Sequence, residues 1–216
     1  MQKTTTSNTY RGYPINTGKD NNLPCSTKCL DQLIDTVEYL SENHSRVLAV
    51  RADVRSEQDS ERVLTRRDVT RVIENTKRNI NSKFKDSKNN PDIKFIVTTE
   101  QTSPEANPHF HVMAFANGNA IQNGYSIYAE LNKQVKNKLG TDNDGLVHFS
   151  ESNGQKGIMI DGNSDDFEQQ MNNVVYAGSY LAKTKSKEHN PKGSRVSSSS
   201  RLAKSNSKYI ALKIWG

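Results

Sequence analysis

Two histidines and a nearby glutamate have the types and spacing of a small cation site. His109 and His111 are two residues apart within an apolar run, and Glu100 ends the apolar run before it. Alternate side chains of a β-strand point to the same face, so the two imidazoles should lie side by side. Each neutral imidazole offers a lone pair to a divalent metal, and a carboxylate adds an oxygen ligand. If residues 101–108 close a hairpin with Glu100 opposite His109, all three groups share one face.

Other interpretations of these residues stay open. A half-buried strand that carries two histidines and binds no metal gives the same pattern. Asp53, on the polar face of another predicted strand, is a second candidate for the third ligand. A structural zinc site is excluded because Cys25 and Cys29 have no further soft ligands near them in the sequence.

A second group of reactive residues follows near the C-terminus. On a helical wheel with Met171 at the origin, Tyr176, Tyr180 and Lys183 fall at about 140°, 180° and 120°, away from the apolar stripe. A tyrosine hydroxyl is a nucleophile only if its pKa of about 10 is countered by a cation, a metal or a base. Lys183 is such a cation. Inert surface tyrosines would show the same spacing.

The elements that must position these groups alternate between helices and strands. Apolar residues at helical spacing predict helices over about residues 27–43, 66–84, 126–139 and 164–185. Alternating or short apolar runs predict strands over about residues 46–55, 93–100, 109–118, 146–149 and 157–160. This order predicts an α+β fold with a mostly antiparallel central sheet flanked by helices.

Length and composition indicate one domain with a modest core. The 216 residues are 32% hydrophobic and 25% charged. We expect a polar N-terminal arm at residues 1–24, a main domain at 25–185 and a basic C-terminal segment at 186–216. No apolar run approaches the roughly 18 residues of a membrane span, and the N-terminus lacks the apolar core of a signal peptide. The sequence therefore predicts a cytoplasmic protein without a membrane partner.

The positive charge is concentrated in one segment. Residues 183–208 contain eight Lys and Arg and a single acid, whereas the rest of the chain is nearly balanced. Such a segment is typical of a surface that meets phosphates, although a solvated tail without a partner has the same composition. The candidate DNA-binding residues are Lys185, Lys187, Lys192, Arg195, Arg201 and Lys204.

Together these motifs resemble the HUH endonucleases, which initiate rolling-circle replication of phages and plasmids. The resemblance covers about residues 47–202 and includes the order of the motifs. The Tyr-x-x-x-Tyr-x-x-Lys form of residues 176–183 resembles two-tyrosine initiators of single-stranded DNA phages, and Ser-Tyr-Leu-Ala-Lys is similar to inovirus replication initiators. The implied fold is a HUH/Rep-like sheet with a ferredoxin-like palm arrangement.

The resemblance also implies a chemistry. His109, His111 and Glu100 would hold Mg²⁺ or Mn²⁺, and Tyr180 or Tyr176 would attack the scissile phosphate beside Lys183. The product would be a 5′-phosphotyrosine and a free 3′-hydroxyl in single-stranded or origin-hairpin DNA. A host helicase and polymerase would be partners, since no phosphate-binding Gly-rich loop follows.

Some points stay open at the level of the sequence. The alternative function is a basic DNA-binding protein without catalysis. The order in which the tyrosines act and the DNA sequence that is nicked are also undetermined.

Overall fold

The computed structural model describes residues 3–57, 62–151, 156–185, 187, 190 and 196–203. None of the helices in these ranges is long and apolar enough to cross a lipid bilayer. In chain order the elements are β1 (Thr4–Thr5), β2 (Thr9–Tyr10), β3 (Tyr13–Pro14), β4 (Cys25–Ser26), α1 (Thr27–Asn43), β5 (Arg46–Val54), α2 (Arg66–Lys83), β6 (Lys94–Glu100), β7 (His109–Asn117), α3 (Tyr125–Leu139), β8 (Val147–Phe149), β9 (Ile158–Asp161), α4 (Phe167–Gly178) and β10 (Ser197–Ser199).

The central sheet is six-stranded and antiparallel. Its order is β10-β6-β7-β5-β8, and β9 pairs with the first half of β5 while β8 pairs with the second half. The predicted α+β fold is therefore confirmed. The edge strand β10 was not predicted, because its Ser-Ser-Ser sequence has neither apolar alternation nor β-branched residues.

Both faces of the sheet are covered by helices, which gives three layers. The face with Val50, Phe110 and Val112 belongs to the same hydrophobic cluster as the buried residues of α2 and α3. The opposite face, with Ala49 and Met113, packs with the buried residues of α1 and α4. Because strand side chains alternate, His109 and His111 belong to this second face.

Most helix boundaries agree with the predicted ones. Helix α1 has the predicted span, and its N-cap Ser26 accepts a hydrogen bond from the Cys29 amide. Helix α2 begins at Arg66, as predicted, after a capping box that Thr65 and Asp68 form. Helix α3 ends at Gly140, whose left-handed φ of 70° suits glycine.

The last helix is shorter than the predicted span of 164–185. Helix α4 ends at Gly178 and continues as a 3₁₀ turn, Ser179–Ala182. The chain then becomes extended, because Lys183 forms a β-bridge with Cys25 and the Thr184 amide donates to the Pro24 carbonyl at 2.9 Å. Pairing with a distant segment thus replaces further helical turns.

The N-terminal arm is folded onto the domain. Strand β1 pairs with β4, and β2 pairs with β3. Ile15 is buried in the cluster beneath α1 and α4. The arm therefore lies against the elements that carry the tyrosines.

Candidate active site

His111 lies at the centre of the candidate site. Across the sheet it is in register with Thr98 on β6 and with Asp53 on β5. Its Nδ1 donates to Asp53 Oδ1 at 2.6 Å, and its Nε2 donates to Glu100 Oε2 at 2.7 Å. Burial opposes the charge of the imidazole, but the two hydrogen bonds outweigh it and raise the pKa of His111. The two carboxylates thus favour the charged form of His111.

The predicted hairpin register is confirmed by the structure. Glu100 lies directly opposite His109, as required for the histidines and the carboxylate to share a face. His109 is half-buried and is the first residue of β7. Burial, assisted by the charge of Arg55, lowers the pKa of His109 and favours its neutral form. His109 therefore keeps the lone pair that a metal ligand needs.

The donor set fits a divalent cation in kind. It consists of two imidazoles and a carboxylate on neighbouring strands, and Asp53 on Nδ1 of His111 orients that ring as the outer carboxylates of metal sites do. In this conformation Nε2 of His111 is hydrogen-bonded to Glu100. Within the described ranges, no group of three or more His, Cys, Asp or Glu side chains has an arrangement that could hold a metal ion. Binding of Mg²⁺ or Mn²⁺ at His109, His111 and Glu100 stays a prediction, and Asp53 is placed behind His111.

Tyr180 contacts His111 from the helical layer that covers the same face of the sheet. Its ring meets the His111 ring edge-on, with centroids 5.4 Å apart and an interplanar angle of 85°. Two cations face the same tyrosine: Arg51 Cζ is 4.6 Å from the ring centroid and Lys183 Nζ is 4.3 Å from it. The structure thus brings Tyr180 and Lys183 together with His111, although Lys183 lies beyond the end of the helix.

Gly178 allows this approach between layers. A Cβ at this position would lie 2.7 Å from both Leu33 Cδ1 on α1 and Met113 Sδ on β7. Met113 is two residues beyond His111 on the same face of β7. The end of α4 therefore rests directly on the strand that carries the histidines, and Tyr180 follows two residues later.

The arm fixes the turn between the two tyrosines. The Ser179 hydroxyl donates a hydrogen bond to the Tyr176 backbone carbonyl at 2.7 Å and accepts one from the backbone N–H of Asn16 at 2.8 Å. Ser179 is fully buried, so its hydroxyl is shielded from water. Asn16 therefore connects the arm to the segment that positions the candidate nucleophiles.

The two tyrosines line one cleft of about 420 Å³. Arg51 and Ser150 line the same cleft, and Tyr176 is 48% exposed. The Nε atom of Arg51 is buried and has no hydrogen-bond partner among the described residues. A guanidinium with an unused donor, beside a tyrosine, is suited to an anionic ligand such as a phosphate.

Arg51 was not among the predicted site residues, although its signal was present in the sequence. Arg51 and Asp53 alternate on β5, Arg55 follows the last residue of the strand, and together they give this segment a polar face. The alternation indicated a face that meets solvent or lines a site. Only the position of β5 beside β7 distinguishes these two possibilities.

The predicted DNA-binding residues are only partly described. Lys185 and Arg201 are exposed. Lys187 instead donates from Nζ to the Leu181 carbonyl, and burial lowers its pKa, so its charge faces the 3₁₀ turn. Lys192, Arg195 and Lys204 lie outside the described residues.

Comparison with known proteins identifies the family. No curated protein and no solved structure matches the chain significantly. The family model described as the YagK/YfjJ C-terminal domain matches residues 5–197, which include the arm, the whole sheet up to β10 and both groups of candidate site residues. Because this match extends over most of its length, the chain belongs to the YagK/YfjJ C-terminal domain family.

Proposed function

We propose that this protein is a DNA nicking and joining endonuclease of the HUH type, which starts rolling-circle replication of a phage or plasmid. The observation that carries the proposal is the contact of Tyr180 with His111, with Arg51 and Lys183 beside the same ring. A phenol between two cations is suited to attack a phosphodiester, because positive charge stabilises the anionic transition state.

The reaction is a transesterification that needs no external reductant or oxidant. Tyr180 Oη forms a bond to phosphorus while the bond from phosphorus to the 3′-oxygen breaks. The phenolic proton passes to solvent and the departing 3′-oxygen takes one proton from solvent, so the step consumes no net proton. The energy of the phosphodiester is kept in the 5′-phosphotyrosine, so a later 3′-hydroxyl can reverse the reaction and join DNA.

The residues of the candidate site have separable roles. Arg51 and Lys183 stabilise negative charge on the phenol and the phosphate. Asp53 orients His111 from behind through Nδ1. His109, His111 and Glu100 would hold Mg²⁺ or Mn²⁺, which when bound supplies Lewis-acid polarisation of the phosphate.

The two tyrosines differ in position, which suggests an order of action. Tyr180 is half-buried against His111, whereas Tyr176 is 48% exposed in the same cleft. We assign the first attack to Tyr180 and the second transfer to Tyr176. The exposed tyrosine can receive a new strand while the first remains attached.

The cellular context follows from this proposal. The free 3′-hydroxyl would prime a host polymerase, and a host helicase would unwind the DNA in the bacterial cytoplasm. Exposed Lys185 and Arg201 would contact the DNA backbone.

A basic DNA-binding protein without catalysis is the second candidate function. The observation that favours it is the engagement of both His111 nitrogens with carboxylates, which is also a stable structural arrangement. Binding without chemistry would leave no covalent product, so the two functions predict different results in one assay.

The test is detection of a covalent adduct. Attack by tyrosine leaves the protein on the 5′ end of the downstream fragment, so a pool of random single-stranded oligonucleotides is labelled at the 3′ end. After incubation with Mn²⁺ or Mg²⁺ and denaturation in detergent, we expect label to migrate with the protein. Sequencing of the attached DNA identifies the preferred site.

The variants assign the nucleophile. We expect Tyr180→Phe to reduce the adduct to background, and Tyr176→Phe to keep cleavage but lose strand joining. The matched control is Tyr39→Phe, which removes the hydroxyl of a tyrosine on α1. The Tyr39 ring lies under Lys94, the first residue of β6, whereas Glu100 is the last residue of that strand. An adduct with the double variant Tyr176→Phe/Tyr180→Phe, or DNA binding by the wild type without any adduct in either metal, would overturn the proposal.

A further inference from the structure

Three aromatic rings form a ladder at the edge of the sheet where β8 meets α3. The rings of Phe149 and Tyr128 are stacked, with centroids 5.0 Å apart and an interplanar angle of 6°. The Tyr125 ring follows, 6.1 Å from the Tyr128 ring and tilted by 45° relative to it. Exposure rises along it, from Phe149 at 9% to Tyr125 at 67%. The inner ring is anchored in the core, and the outer ring is available to a ligand.

The ladder is held in place by close packing. A Cβ at Gly124, the residue before Tyr125, would lie 2.8 Å from Phe149 Cζ. The start of α3 therefore rests directly on the Phe149 ring. Tyr125 and Tyr128 are one turn apart on α3, so the helix places both side chains on the same face, beside Phe149.

The rings line an open groove of about 500 Å³. Lys156, also in its wall, has its Nζ 5.8 Å from the Phe149 centroid and 3.8 Å from Glu151 Oε1. The groove thus combines flat aromatic faces with an exposed ammonium group. Stacking platforms beside a cation are the features that bind unpaired nucleotides independently of sequence.

The groove lies at the edge of the sheet and shares one lining residue with the cleft of the candidate active site, although Phe149 packs on the sheet face opposite His111. Glu151 lines both this groove and the cleft that contains Tyr176 and Tyr180. On β8, His148 is in register with Asp53, the residue behind His111. Neighbouring strands are separated by about 4.8 Å, so the groove begins next to the row of residues that holds His111.

We propose that Tyr125, Tyr128 and Lys156 form a stacking subsite for an unpaired base of single-stranded DNA that lies next to the cleft. This inference rests on the proposed function, because it takes DNA as the substrate of the neighbouring site. Three rings form too small a patch for a stable protein interface, which buries about 800 Å² on each partner. The π-face of a single base, in contrast, matches one exposed ring.

The test measures binding in the absence of cleavage. Fluorescein-labelled polythymidine of about 20 nucleotides, long enough to cover more than one site of single-strand binding, is titrated with protein in EDTA. A lost stacking contact weakens binding by about 5- to 150-fold. Because Tyr125 is the outermost ring, we expect Tyr125→Ala to weaken binding by about tenfold. Tyr125→Phe is the matched control, because it retains the ring and should bind like the wild type.

Two further measurements separate stacking from charge. Tyr125→Ala should leave the salt dependence of binding unchanged, whereas Lys156→Ala should reduce its log–log slope by about 0.7. Binding to a blunt duplex should be unaffected by Tyr125→Ala, because paired bases do not expose their faces. Thermal denaturation should show equal stability of both Tyr125 variants, since this side chain is mostly exposed.

The outcomes distinguish this inference from the nuclease proposal. Equal affinity of Tyr125→Ala and wild type for polythymidine, or equal weakening of single-strand and duplex binding, would overturn the subsite. A selective loss of single-strand binding supports it, even if the wild type forms no covalent adduct. In that case the nuclease proposal fails and the stacking subsite remains.

Discussion

Gly178 gives the sharpest test of how the tyrosines reach the histidines. Its substitution by alanine would place a Cβ 2.7 Å from Leu33 Cδ1 and from Met113 Sδ. Because favourable carbon contacts are about 3.5–4.0 Å long, each neighbour must withdraw by roughly 1 Å. Such overpacking costs about 1–3 kcal/mol. The better helix propensity of alanine returns at most about 1 kcal/mol at this last residue of α4.

We therefore expect Gly178→Ala to lower the free energy of unfolding by about 1–2 kcal/mol. For a chain of this size the melting temperature should fall by roughly 2–8 °C. Urea denaturation measures the free energy directly. Covalent adduct formation should fall further than stability does, because displacement of α4 also moves Tyr180 away from His111.

A double-mutant cycle supplies the control. Leu33→Ala removes the Leu33 methyl groups that collide with the new methyl group and leaves the contact with Met113, so Gly178→Ala should be less destabilising in that background. The two changes should therefore be coupled by about 1 kcal/mol. If Gly178→Ala is harmless in the wild type, or equally harmful in the Leu33→Ala background, the close packing around Gly178 is not what positions Tyr180.

Two further predictions concern pH and charge. The pKa of His111 is raised, so its ion pairs stabilise the fold fully below about pH 6.5, and this contribution is lost as pH rises through the pKa of the folded state. The difference in free energy of unfolding between the wild type and His111→Gln should therefore shrink from pH 6 to pH 9 in urea titrations. A constant difference would contradict the raised pKa. Replacing exposed Lys185 and Arg201 by alanine should reduce the salt slope of single-stranded DNA binding by about 1.4, and an unchanged slope would show that these charges do not contact the backbone. The matched control removes two exposed charges from the turn after α2, at Lys85 and Lys88.

The sequence by itself determined those features that depend on local periodicity. Alternation placed His109 and His111 on one face, and the short connection between their strand and the previous one made Glu100 a neighbour of His109. Helix α1 has its predicted span, and Gly140 ends α3 as predicted. These features could be predicted because the periods of strands and helices are properties of consecutive residues.

Only the tertiary structure decided which distant residues complete the site. Asp53 is 58 residues from His111, and their contact depends on the choice of β5 as the partner of β7. Asn16 is 163 residues from Ser179, and no periodic pattern connects them. Helix α4 ends early because its C-terminal continuation pairs with the chain before α1. The physical reason is common to all three: hydrogen bonds and packing between remote segments depend on strand order and layer contacts, which the local pattern of apolar residues does not specify.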